Sequence, residues 1–237
     1  PGALGNGVGG LVQQPGTGAP PAGQPDQRNQ EIGQAGWERL FVEPLATEAS
    51  WVFPLALLGI PLATVMLGWR WPLSGKHLGL VLWAGWLLPE ALYFSFATGL
   101  YHAYYLIMLG PPLAALTAIT VWALWRLLQR RRWLGWALAA LLSGSTLTFQ
   151  LFTLSRYPQY GVWIAALSLP IWLTGIGLLL WRGRPWLGKA ALAIVCLSLL
   201  IAPLAWSGMT TFNTRPNVML PNPGPGDAQG PKKQDLS

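Results

Sequence analysis

The sequence predicts an all-α fold, a polytopic membrane helix bundle of about six transmembrane helices with flexible extracytoplasmic flanks, on three observations. The 237 residues are 52% hydrophobic and only 10% charged, and carry 15 tryptophans, which departs from soluble usage and makes lipid the natural solvent. Apolar runs of about 20 residues, enough to cross roughly 30 Å of hydrocarbon, recur along the chain. Basic residues collect in alternate connections between those runs. A backbone in lipid must satisfy its own hydrogen bonds, and no alternating barrel pattern is present, so the runs are helices.

Residues 1–35 are rich in Gly, Pro, Gln and Asn. They have too little apolar surface to offset ordering, and are read as a flexible extracytoplasmic loop. The chain opens on Pro1 without a signal-like apolar run, so it is expected to begin inside a longer protein. Over 36–50, Trp37, Leu40 and Phe41 share one helical face before Pro44, the pattern of either an interfacial amphipathic segment or a solvated connector.

The spans are expected near 51–69, 78–98, 105–125, 133–154, 162–181 and 190–206, with edges uncertain by about two residues. Beyond them, 207–237 reads as an extracytoplasmic tether, itself truncated, in which 217–225 is Pro-rich and lacks helical periodicity.

The net charge of +7 does not indicate nucleic acid. Arg70, Lys76, Arg126, Arg130, Arg131, Arg132, Arg182, Arg184 and Lys189 occupy alternate loops, whereas the other two short loops hold only Arg156. The positive-inside rule then places the basic loops in the cytoplasm and both ends of the chain outside. Trp69, Trp71, Trp125, Trp133, Trp181 and Trp186 flank the basic loops, as an interfacial belt requires. The single cysteine, Cys196, excludes an internal disulfide or cysteine metal site and suits a small packing role.

Three places carry candidate chemistry. Glu90 is the one acidic residue between 51 and 206. An ionised side chain at mid-membrane costs about 2.5–3.5 kcal/mol, so Glu90 is expected to face the bundle interior, be protonated or line a wet cavity. It either serves function or pairs with a polar neighbour in a helix made irregular by Pro89. The run Tyr101-His102-Ala103-Tyr104-Tyr105 places three hydroxyls and an imidazole at the outer boundary, more than anchoring needs. These donors suit a phosphate-bearing lipid headgroup. His102 alone does not distinguish a general base, a metal ligand, a phosphate contact or a hydrogen-bonded boundary residue. Pro111-Pro112 is expected to break the third helix near its outer end and free the carbonyls of Ile107 and Met108, giving a broken or re-entrant segment or a plain kink. In the other outer loop Arg156, beside Tyr157-Pro158-Gln159-Tyr160, can meet a phosphate or headgroups nonspecifically.

These residues resemble a known family. Four segments carry the likeness: GWERLFVEPLATEASWVFPLALLGI at 36–60, SFATGLYHAYYLIMLGPPLAAL at 95–116, SRYPQYGVWI at 155–164 and APLAWSGMTTFNTRPNVMLPNPGP at 202–225. They are similar to the C-terminal membrane half of bacterial GT-C class membrane glycosyltransferases, the protein mannosyltransferase-like and aminoarabinose transferase-like enzymes. The resemblance implies a full-length enzyme that moves a hexosyl or pentosyl sugar from a polyprenyl-phosphate donor to an acceptor outside the bacterial cytoplasmic membrane. It implies that Ser95, His102, Tyr104, Tyr105 and Pro112 border the carrier-lipid site, joined on the residue reading by Glu90 and Tyr101.

Some relatives carry a lysine where this chain has Thr98-Gly99-Leu100, so the phosphate is expected to be neutralised elsewhere in the protein. The family's catalytic aspartate lies in a region that nothing here matches; it is expected upstream, with the fragment alone inactive. No cofactor follows from the residues, although the resemblance admits a divalent metal in the full-length enzyme. The implied partners are a polyprenyl-phosphate-linked sugar and membrane lipid, with no nucleic acid and an unspecified acceptor. The alternatives are a transporter or flippase-like bundle, for which Glu90 and broken helices are also natural, and a noncatalytic membrane anchor.

Overall fold

A computed structural model describes residues 32–68, 71–98, 102–181, 185–212 and Gly224. Tyr101, residues 1–31 and most of the tail lie outside the described residues. Among the described residues six helices are long and apolar enough to cross a membrane, and no strand occurs. The protein is a multi-pass membrane helix bundle. We label the helices α1 (Phe53–Leu67), α2 (Gly75–Phe96), α3 (Gly110–Arg130), α4 (Arg132–Leu154), α5 (Pro158–Leu180) and α6 (Pro185–Phe212). Only 22–44% of the most apolar stretch of each span is buried inside the protein, and exposed Val65, Leu82, Leu141, Trp163 and Leu204 form the surface that lipid must cover.

The helix ends follow from local chemistry. At α2, Ser74 and His77 form a reciprocal cap, Ser74 Oγ lying 2.7 Å from His77 Nδ1, and His77 Nε2 reaches Gly68 O at 2.8 Å. This histidine, the other being His102, is therefore structural. α5 starts on Pro158, whose missing N–H would be unsatisfied in a first turn anyway. Two arginines close the opposite ends. Arg132 Nη2 donates to Leu179 O, at 3.0 Å, and to Trp181 O, at the C-terminus of α5. Arg39 does the same for α2 from outside the spans. Cations at these carbonyls oppose the negative end of the helix dipole.

Two expectations about proline are corrected. α2 runs unbroken through Pro89 because a single lost hydrogen bond is absorbed within a long apolar helix. Pro111 and Pro112 do not interrupt the third span internally. They stand in the first turn of α3, preceded by a 3-10 helix over Ala103–Leu109. Ile107 O is not freed either, since it accepts from Gly110 N. The third span thus changes helix type at its N-terminal end. At its basic end the third span also exceeds the expected 105–125, because Arg126 to Arg130 remain helical; long cationic side chains let a helix continue past its apolar stretch.

The first and third spans and the last two spans form the tightest pairs. Where α1 crosses α3, a Cβ on Gly59 would lie 1.6 Å from Thr120 Oγ1, so only glycine permits that approach. Gln150 of α4, fully buried, donates through Nε2 to Trp51 O and Leu199 O, both at 2.9 Å, and so ties the first, fourth and sixth spans together.

Candidate functional site

The segment before α1 is not one continuous amphipathic helix. A 3-10 turn over Arg39–Phe41, a short helix over Ala46–Ala49 and a second 3-10 turn over Ser50–Val52 fold it against the bundle. Trp37 is exposed, while Leu40 is buried. Its anchor is Arg39, only 3% exposed. Arg39 Nε donates to Ile32 O at 2.8 Å and Nη2 to Gly33 O at 2.9 Å, while Nη1 donates to Phe94 O at 3.2 Å and Ala97 O at 2.7 Å. Gly36 N adds a bond to Ser95 O at 2.9 Å, and Trp37 meets the Phe96 ring edge to face at 4.6 Å.

This folding opens a cavity of about 770 Å³ between the segment, the N-terminal half of α3 and the C-terminal half of α6. Leu106, Leu113, Ala114, Leu200 and Pro203 make it largely apolar, and Thr47, Glu48, Tyr104, Ser207, Thr210 and Thr211 give it a polar end. Two polar atoms in its lining residues, Thr117 Oγ1 and Trp206 Nε1, are buried without a hydrogen-bond partner, a cost of about 1–3 kcal/mol each unless a ligand or water supplies an acceptor. Trp206 is only 2% exposed. It is wedged between Trp51 (5.6 Å), Tyr157 (4.7 Å) and Gly224. Gly224 has φ +93°, and its N–H donates to Thr210 Oγ1 at 2.6 Å; a Cβ there would lie 2.5 Å from the indole. The shape suits an amphiphile, its apolar chain between helices and its hydrogen-bonding head near Thr47, Glu48 and Tyr104. No cation lines it among the described residues, so a phosphate in it would need its counter-charge from elsewhere.

Among the sequence-predicted residues, Tyr104 lines this cavity. His102 stacks on Tyr104 at 5.3 Å and meets Tyr105 edge on at 6.1 Å, with Tyr104 and Tyr105 at 4.8 Å. The aromatic cluster is therefore real, but it turns through a 3-10 helix rather than an α-helix, which leaves Tyr105 41% exposed. Tyr101 lies outside the described residues. Ser95 is buried at the end of α2, and Ser95 and Glu90 are not among the described residues lining the cavity. Glu90 shares the face of buried Leu87 and Phe94, three and four residues away, and its Oε2 is buried without a partner.

Sequence reasoning passed over Glu43 and Glu48, which precede the first span by a few residues. Burial raises the Glu43 carboxyl above its ordinary value of 4.5, with the Tyr157 hydroxyl and the Arg156 charge opposing the shift. Burial and the nearby Glu43 charge push Tyr157 up to about 12. The signal available was two carboxylates five residues apart in a chain with only eight acids.

The chain is 36% identical over 208 residues, 84% of its length, to a Bacillus subtilis (strain 168) protein named "Putative mannosyltransferase YycA". It is 37% identical over 199 residues, 81% of its length, to another from the same organism named "Putative mannosyltransferase YkcB". The chain spans 30% and 27% of the lengths of these two proteins. No family model and no solved structure matches it. The two matches bear out the resemblance to mannosyltransferase-like membrane glycosyltransferases over the region shared.

Proposed function

We propose that this chain is part of a membrane glycosyltransferase that moves a sugar from a polyprenyl-phosphate donor to an acceptor at the extracytoplasmic face, with the cavity beside Tyr104 holding the carrier lipid. The observation that carries this reading is the amphiphile-shaped cavity beside the aromatic cluster, in a chain similar over most of its length to the two proteins named "Putative mannosyltransferase". Those names favour mannose as the sugar. In this reading the isoprenoid lies against Leu113, Ala114 and Leu200, and the headgroup turns toward Tyr104, stacked on His102. Thr117 and Trp206 offer their unpaired donors to oxygens of the bound lipid. Glu48, at the polar end, accepts hydrogen bonds from sugar hydroxyls better than it tolerates phosphate, since a carboxylate repels an anion.

The chemical step belongs to the whole protein, with the acid expected upstream of this region. Membranes holding the full-length protein, given radiolabelled polyprenyl-phosphate mannose, should transfer label to an acceptor. Failure with this and other polyprenyl-phosphate sugars would overturn the reading and favour a transporter-like bundle.

A further inference from the structure

We propose that the basic end of the bundle, which meets the cavity just described only at Ala118, binds one anionic diacyl phospholipid astride Trp122. Two apolar grooves flank α3 there. One, about 360 Å³, lies against α2 with Lys76 at its rim; the other, about 370 Å³, lies against α6 with Lys189 at its rim. Ala118 and Trp122 belong to both, so the grooves meet along one ridge, as two chains of one lipid require. Gly79 and Ala193 keep them open.

Three exposed cations stand over the aromatic rims of the grooves. Lys76 Nζ lies 5.0 Å and the Arg126 guanidinium 5.9 Å from the centre of the Trp122 ring, and Lys189 Nζ lies 5.9 Å from that of Trp125. The face of an indole attracts a cation, and here it positions three of them without neutralising any. Neither groove is lined by a carboxylate among the described residues, and between residues 49 and 226 the sequence has one acid, Glu90, in the later part of α2. Arg132, at the same end, is instead spent on the carbonyls of α5. The headgroup that complements three cations gathered on two indoles is an anion, and basic clusters between transmembrane helices are suited to anionic lipid. A zwitterionic headgroup would bring its own ammonium against them.

Native mass spectrometry of the full chain, purified in detergent with an equimolar mixture of phosphatidylglycerol and phosphatidylcholine, tests this. Wild type should retain one phosphatidylglycerol. K76Q/K189Q should lower the phosphatidylglycerol-to-phosphatidylcholine ratio by about 25-fold, roughly fivefold per cation. R130Q/R131Q, which removes the same charge from residues of the same end that line neither groove, should change it less than about threefold. Equal loss in both pairs would show a diffuse surface field and overturn the site, as would no loss in either. Gly79→Phe keeps every charge, and a Cβ there meets nothing within 4 Å; it should abolish retention by filling one groove, and full retention would equally overturn the proposal.

Discussion

Replacing Arg39 by alanine tests how the segment before α1 is held. The side chain is 3% exposed and donates four hydrogen bonds, two to Ile32 and Gly33 and two to the end carbonyls of α2, Phe94 and Ala97. Hydrogen bonds from a charged group contribute about 1.5–3 kcal/mol each, but the sum overstates the loss, because the variant no longer has to desolvate a guanidinium. What it leaves is a set of buried carbonyls and an uncompensated helix end, comparable to breaking a buried charged network, about 3–5 kcal/mol. Arg39→Lys keeps the charge but not the fork that reaches both sets of carbonyls, and should lose about 2 kcal/mol. Unfolding in mixed micelles measures the loss, and hydrogen exchange locates it: amides of 36–41 should speed up far more than those of α4. Losses below about 1 kcal/mol in Arg39→Ala, or a lysine variant equal to wild type, would refute the reasoning.

Gln150→Leu removes the bonds to Trp51 O and Leu199 O, and at about 0.6–1.7 kcal/mol per bond in a membrane protein should cost about 1–3 kcal/mol in the same unfolding assay. Glu43 has a raised folded-state pKa, so native structure favours its protonated form; stability should be greatest below about pH 4.5, the unfolded value, and fall as pH rises through the folded one. Glu43→Gln should flatten that dependence and be the more stable protein at pH 7 to 8, as a pH series of melting curves would show. Ala114→Phe, at an exposed position of the cavity wall, should leave thermal stability within about 0.5 kcal/mol, yet reduce sugar transfer by the full-length protein at least about tenfold through crowding of the lipid chain.

The six spans were legible because a 20-residue apolar run has few other meanings, and the alternation of basic loops placed the right segments at one end: Tyr157 does pack against Trp206, and Thr47, Tyr104 and Thr210 do meet in one cavity. Hydropathy reads crossing length, not helix length, so it stopped at residue 125 where the helix runs on to Arg130. Pro111 and Pro112 marked a break correctly but not its kind, since proline both ends helices and begins them. The cavity itself was not legible beyond Tyr104. It arises from the third and sixth spans meeting a segment folded back by Arg39, and four hydrogen bonds to carbonyls 6 to 58 residues away leave no local pattern. Glu48 escaped for a related reason: outside the spans a carboxylate looks solvated, and only the fold turns it inward.

A polyprenyl phosphate with a diazirine in its first isoprene units, photolysed in membranes containing the full-length protein, tests most directly whether the cavity beside Tyr104 holds the carrier lipid. The account predicts labelled peptides from around Trp51, Ile107 to Ala114 and Leu200 to Trp206, with labelling suppressed by unmodified polyprenyl phosphate and by Ala114→Phe. Labelling spread over the lipid-facing surface, or unchanged by that substitution, would contradict it.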